Sequence, residues 1–280
     1  MQGFQMAWCG VGMVAGMGLA YLAFSGLFAQ LLPGTGSVQI PTPVVSPTQP
    51  LIPNDQAVAD IARQVTVRVL GEPGSGSGVL LSHQANTYTV LTCEHVVAQS
   101  QSDRYTILTA DGITHSARRV TRSALAHLDL ALLEFESETA YRVVRLGDSN
   151  AIAVGDRVYA SGFPNYRFLD AQNQIESTRD WGTKAYHLTT GEVSLLLGQS
   201  LQGGYRLGYT NEIEQGMSGG PVVDRLGRLV GITGRLKYPL QGIEAYTFAD
   251  GTRPSEALFQ QMETLSWAVP IASFQTASGQ

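Results

Sequence analysis

Thr87-Tyr88-Thr89-Val90-Leu91-Thr92-Cys93-Glu94-His95-Val96-Val97 reads as an apolar strand, densest from Tyr88 to Leu91, that delivers a histidine just past its end. Upstream, Val65, Val67 and Val69 alternate with Thr66 and Arg68, the period of a half-buried strand. Further short strand candidates cover residues 76–81, 105–109, 130–135, 157–161, 186–197, 221–223, 229–233 and 266–269. Turn pairs such as Asp111-Gly112, Gly155-Asp156 and Leu226-Gly227 punctuate them. Helix-like patterning is confined to residues 55–63, 254–265 and a stretch from Ile271. Many short strands with few helices and no internal repeat predict an all-β domain of sandwich or barrel type.

The 280 residues are 44% hydrophobic and 15% charged, enough for one large domain or two small ones and too apolar for general disorder. A net charge of −5 gives no basic field to attract nucleic acid, and Arg118, Arg119 and Arg122 form too small a patch to reverse that. Cys9 and Cys93 cannot build a disulfide framework. The charge is unevenly spread, because all 18 basic residues lie beyond residue 62. The run 6–29 carries no charge, and as a helix it would rise roughly 36 Å against a hydrocarbon core of ~30 Å. A transmembrane anchor is therefore expected within residues 6–32, after a stub at 1–5, with a cleaved secretory signal as the rival. The α-amino group before the span favours an inside N-terminus and an extracytoplasmic domain. Gly12 and Gly16 read as lipid-facing rather than as a packing pair. Residues 33–56, with Pro33, Pro41, Pro43, Pro47, Pro50 and Pro53, read as an extended, semi-rigid tether.

Three segments carry candidate chemistry. Gly216-Met217-Ser218-Gly219-Gly220-Pro221 places a serine in a turn whose glycines leave backbone N–H groups unobstructed. His95 follows the strand quoted above. His127-Leu128-Asp129-Leu130-Ala131-Leu132-Leu133 opens an apolar strand with an acid, which is costly to bury unless hydrogen-bonded. Each is weak alone; together His95, Asp129 and Ser218 form a coherent general-base triad.

With these, Gly76-Ser77-Gly78-Val79, Leu146-Gly147-Asp148-Ser149, Val154-Gly155-Asp156 and Leu229-Val230-Gly231-Ile232 run in the order found in trypsin-like serine proteases. The chain from about Val58 to Ser273 resembles that family, closest to its bacterial HtrA/Deg branch. The resemblance implies two six-stranded antiparallel Greek-key barrels, about 57–145 and 146–270 within a domain at 57–280, and an active site in the cleft between them. It implies a serine endopeptidase in which His95, Asp129 and Ser218 are catalytic and the N–H groups of Gly216 and Ser218 form the oxyanion hole. It also implies that the strand bearing Ile232, Thr233 and Gly234 holds peptide substrate by main-chain pairing. Protein or peptide substrates are the implied partners, with no cofactor and no metal; homo-oligomers occur in this branch.

The sequence departs from the family in several places. Met217 stands where digestive trypsins have an aspartate, so their new-N-terminus salt bridge is unavailable and activation would work by loop ordering. The PDZ domains usual in the HtrA branch are not expected after residue 270. Segments 166–185 and 237–265 exceed the family minimum and are expected to border the cleft, either shaping access or as surface decoration. Glu212 falls where the primary specificity determinant would lie, which suggests basic P1 side chains, against a solvent-facing alternative. Cys93 reads as a small core residue, and Cys-Glu-His is no zinc spacing. His83, His115, His127 and His187 read as surface or structural. Gly74-Ser75-Gly76-Ser77-Gly78 lacks the lysine of a phosphate loop. The functional expectation is a membrane-anchored, extracytoplasmic endopeptidase for processing or quality control; a catalytically silent binding module is the alternative.

Overall fold

The computed structural model describes residues 53–279 apart from 73, 99, 101 and 169–173. The uncharged run 6–29 and the tether up to residue 52 lie outside the described residues. Among the described residues no helix is long and apolar enough to cross a membrane.

Helix α1 (Pro53–Val65) leads into strands β1 (Thr66–Leu70), β2 (Ser75–Gln84) and β3 (Thr87–Thr92), a one-turn helix α2 (Glu94–Val97), then β4 (Arg104–Leu108), β5 (Thr114–Val120) and β6 (Ala131–Glu136). These six strands close into an antiparallel barrel in the order β1-β2-β3-β6-β5-β4. After β7 (Arg145–Leu146), the second half supplies β8 (Arg157–Gly162), a two-stranded hairpin of β9 (Tyr166–Phe168) and β10 (Ile175–Ser177), and β11 (His187–Leu196). It continues through β12 (Leu207–Tyr209), β13 (Pro221–Val223), β14 (Arg228–Arg235), helix α3 (Glu256–Met262), β15 (Ser266–Pro270) and helix α4 (Ile271–Ser278). Strands β13-β8-β11-β12-β15-β14 form a second six-stranded barrel, closed by β13–β14, with β7 added in parallel to β14. Closure leaves neither barrel a long open edge.

Strand alternation explains how the barrels pack. Val67, Val69, Leu80, Val90, Leu133 and Phe135 fill the first barrel. Val158, Ala160, Val193, Val222, Val230 and Ala268 fill the second. Their strand neighbours Val79, Leu91, Leu132, Tyr159, Val223 and Val269 point the other way and join one cluster that spans the seam. Residues i and i+1 thus serve two different cores.

β1 is not the half-buried strand its alternation predicts, because both of its faces are covered. Its polar positions meet the second barrel: the Thr66 and Ser161 hydroxyls are 2.8 Å apart, and Arg68 donates to the Thr178 carbonyl at 2.7 Å and to its Oγ1 at 3.1 Å. Burial and neighbouring Arg179 lower the Arg68 pKa. The tether boundary at 56 also needs correction. α1 begins at Pro53, a residue suited to a first helical turn, and Asp55 is buried against Arg157 (3.1 Å) and the Tyr159 hydroxyl of β8. The segment 237–265 is more than decoration, since Tyr246 and Met262 are buried beside Trp267 in the seam cluster.

Arg68→Met removes hydrogen bonds that cross the seam and should lower unfolding free energy by about 2 kcal/mol. Urea unfolding measures this, and an unchanged midpoint and slope would contradict it.

Candidate active site

The end of β3 fixes the histidine. Cys93 leaves the strand in an extended conformation and starts α2, whose single turn turns His95 toward the second barrel. Asp129 comes from the segment before β6, where its N–H donates to the Gly203 carbonyl at 2.9 Å. The two side chains meet: Asp129 Oδ2 lies 2.6 Å from His95 Nδ1, and Oδ1 accepts the His95 backbone N–H at 2.9 Å. Asp129 Oδ2 also accepts the hydroxyl of Tyr205. Burial opposes ionisation, but the His95 contacts and the Tyr205 hydroxyl hold the Asp129 carboxyl below its ordinary value. It is therefore a carboxylate at neutral pH, which assigns the imidazole proton to Nδ1 and leaves the Nε2 lone pair free.

Ser218 lies in the loop before β13 and lines, with His95, a cavity of about 200 Å³ also bordered by Ser75, Asn165 and Gly216. Among the described residues the Ser218 hydroxyl has no hydrogen-bond partner, His95 included. The loop itself is tightly held. Ser77 N–H donates to the Ser218 carbonyl and Ser77 Oγ to the Gly216 carbonyl, both at 2.8 Å. Asn165 N–H donates to the Gln215 carbonyl at 2.7 Å. A trans peptide points its N–H opposite its carbonyl, so this bond turns the Gly216 N–H away from Asn165. Among the described residues neither the Gly216 nor the Ser218 N–H has an acceptor. Gly216 takes φ +101°, and a β-carbon there would lie 2.6 Å from the Asn165 backbone nitrogen and the Phe163 carbonyl.

Met217 is fully buried in the second barrel's core and not turned to the cleft. Apolar burial anchors this loop where digestive trypsins use a salt bridge, and a side chain of this size contributes about 2 kcal/mol. The long segment 166–185 braces it further: Arg68 holds Thr178, whose N–H donates to the Asn165 carbonyl at 3.0 Å, and Arg167 pairs with Glu214 at 2.9 Å. His187, beside that pair, is lowered to about 4 by burial and by Arg167 and stays neutral.

Three sequence-based assignments fare differently. Glu212 does not offer a free charge, because its carboxylate is paired with Lys237 at 2.5 Å and its side chain is mostly exposed. Ile232 pairs with Pro221 on one side and Val269 on the other, and Thr233 exchanges bonds with Gly219 and Gly220 while facing Ala268. Both are buried barrel wall with no edge left for a substrate. Gly234 is where the strand meets the cleft: it lines a second cavity, of about 370 Å³, with His95, Asp129, Tyr205 and Arg235. Asn165, Ser75 and Tyr205 carried no sequence signal of their own; Ser77 lay within the quoted Gly-Ser-Gly-Val.

Cys93, His95 and Asp129 bring possible ligand atoms within 4.8 Å of one another. Each of the three is engaged in a hydrogen bond within the fold. The Cys93 thiol donates to the Thr233 carbonyl at 3.1 Å, and burial and the Asp129 charge push its pKa well up.

A family model, the trypsin-like peptidase domain, matches residues 76–232. The chain belongs to this family. The peptidase domain is 27% identical over 192 residues to the serine protease Do-like HtrB of Bacillus subtilis, covering 66% of this chain and 38% of that protein. It is 29% identical over 180 residues to the serine protease Do-like HtrA of the same organism, covering 64% and 37%. The chain thus spans less than two fifths of the length of these relatives. A crystal structure of a serine endoprotease from Yersinia pestis shares the fold, with a TM-score of 0.56 at 22% identity over 81% of this chain and 66% of that one.

Because its thiol is buried and protonated, Cys93 should resist iodoacetamide in the native peptidase domain at pH 8 and react once the chain is unfolded. Peptide mapping distinguishes it from Cys9; native labelling of Cys93 would contradict the assignment.

Proposed function

We propose that this chain is a serine endopeptidase that uses Ser218 as nucleophile, His95 as general base and Asp129 to orient and stabilise the imidazole. The observation that carries this reading is that His95, bonded to Asp129, lines the same cavity as Ser218 and Gly216, whose N–H groups are unpaired among the described residues. His95 Nε2 takes the Ser218 proton as Oγ bonds to the substrate carbonyl carbon. The carbonyl oxygen becomes an oxyanion received by the Gly216 and Ser218 N–H groups, each worth about 3–4 kcal/mol in such sites. Collapse breaks the C–N bond, and His95 returns the proton to the leaving amine. Water repeats the sequence on the acyl-enzyme and restores Ser218.

On the same proposal, the substrate pairs with the chain from Gly234 onward, past the walled-in Ile232 and Thr233. The domain works outside the cytoplasm, tethered by residues 6–29, whose uncharged length suits a membrane span.

A fluorophosphonate probe should label the wild-type chain and leave Ser218→Ala unlabelled; labelling of both, or of neither, would defeat the proposal. Asp129→Asn should lower kcat at neutral pH by about 10⁴-fold, through loss of the correct tautomer. Hydrolysis of a fluorogenic protein substrate measures it, and a loss below tenfold would contradict the assigned role.

A further inference from the structure

The Asp129 carboxylate has a donor that the triad does not require. Tyr205, just before β12, is buried, and its hydroxyl donates to Asp129 Oδ2, the same oxygen that meets His95 Nδ1. Two glycines admit it. A β-carbon on Gly234 would overlap the Tyr205 hydroxyl, and one on Gly203 would lie 3.1 Å from both the Tyr205 ring and Asp129 Cβ. Gly203 takes φ +83°, a conformation other residues rarely adopt. Gly234 lies inside β14, where glycine weakens a strand and marks close approach by another group. Above the ring, the Arg235 guanidinium carbon sits 4.5 Å from its centroid, tied to the Gln202 carbonyl at 2.8 Å and to the Ala245 carbonyl.

We infer that Tyr205 is a positioning residue for the general base: its hydroxyl, admitted by Gly234 and lidded by Arg235, locks the Asp129 carboxylate in the rotation that holds His95. The inference rests on the triad reading and deepens it. The His95 backbone N–H holds Oδ1 and the imidazole holds Oδ2; the Tyr205 hydroxyl adds a charge-assisted donor from a rigid ring to that same Oδ2, fixing the oxygen that orients the imidazole. The charged and titratable groups facing this hydroxyl are Asp129, His95, Cys93 and Arg235. Burial, Cys93 and Asp129 push the Tyr205 phenol well above its ordinary value, so it remains a donor across the working pH range. The Tyr205 hydroxyl is bonded to Asp129, and its effect passes through that carboxylate.

The test compares the full-length wild type with Tyr205→Phe, which removes one oxygen and keeps the ring. Expected are a kcat lower by about tenfold, KM within about twofold, and an acid limb of kcat/KM moved to higher pH, since Asp129 loses a donor and becomes more basic. A purely structural tyrosine would lower the melting temperature and leave kcat and the acid limb in place, which would overturn the inference. A second pair guards against misfolding: Tyr205→Ala opens the space, and adding Gly234→Ser puts a hydroxyl next to where the phenol oxygen lay. Recovery of kcat in the double variant over Tyr205→Ala supports the inference; equal kcat in two folded variants overturns it. Fluorophosphonate labelling separates this from failure of the triad itself. An unreactive wild type defeats the triad reading, whereas wild type and Tyr205→Phe reacting at equal rates defeats only the role of Tyr205.

Discussion

The site depends on one residue that belongs to both barrels. Ser77 sits in β2 of the first barrel, yet its N–H, hydroxyl and carbonyl all engage the second barrel's loop or the strand beside it. The N–H donates to the Ser218 carbonyl, the hydroxyl donates to the Gly216 carbonyl, and the same hydroxyl accepts the Phe163 N–H. Its carbonyl accepts the Thr92 hydroxyl at 2.7 Å, one residue before Cys93. Gly219 is glycine because a β-carbon would strike that carbonyl and Thr92 Oγ1. The strand that precedes the histidine and the loop that carries the serine are therefore both fixed to Ser77, the strand through its carbonyl and the loop through its N–H and hydroxyl. Buried groups of this kind are expensive to leave unpaired, so the seam closes in one way.

A second line of support runs from β1. Arg68 reaches across to Thr178, Thr178 holds Asn165, and Asn165 turns the Gln215–Gly216 peptide. The long segment 166–185 thus does more than border the cleft, because it transmits the position of the first barrel to the N–H groups of the second. Met217 completes this by burial. The loop is pinned by hydrogen bonds on its polar side, by apolar packing on the other and by the Arg167–Glu214 pair at its start.

Legibility in the sequence followed local cause. β3 and β13 were readable to the residue because apolar runs and flanking turns set their ends. β5 was not, since Thr114-His115-Ser116-Ala117-Arg118-Arg119-Val120 buries Ala117 almost alone and shows no alternation. β12, with Gly208 at its centre, exists only through its neighbours β11 and β15. His95, Asp129 and Ser218 stood out as candidates because each lies beside the end or start of a strong strand. Their supports did not: Tyr205, Asn165 and Arg68 act across 76, 50 and 110 positions, and one sequence carries no register between such distant segments. The same lack of register put substrate pairing on Ile232 and Thr233, whose edges are in fact occupied.

The central claim is that Ser77 sets the geometry of the serine loop. The most direct measurement is the second-order rate of fluorophosphonate inactivation of Ser77→Ala against wild type, with folding checked by circular dichroism. The account predicts a loss of about 10²-fold, the penalty for displacing oxyanion donors by roughly 1 Å. A folded Ser77→Ala that reacts at the wild-type rate would contradict it.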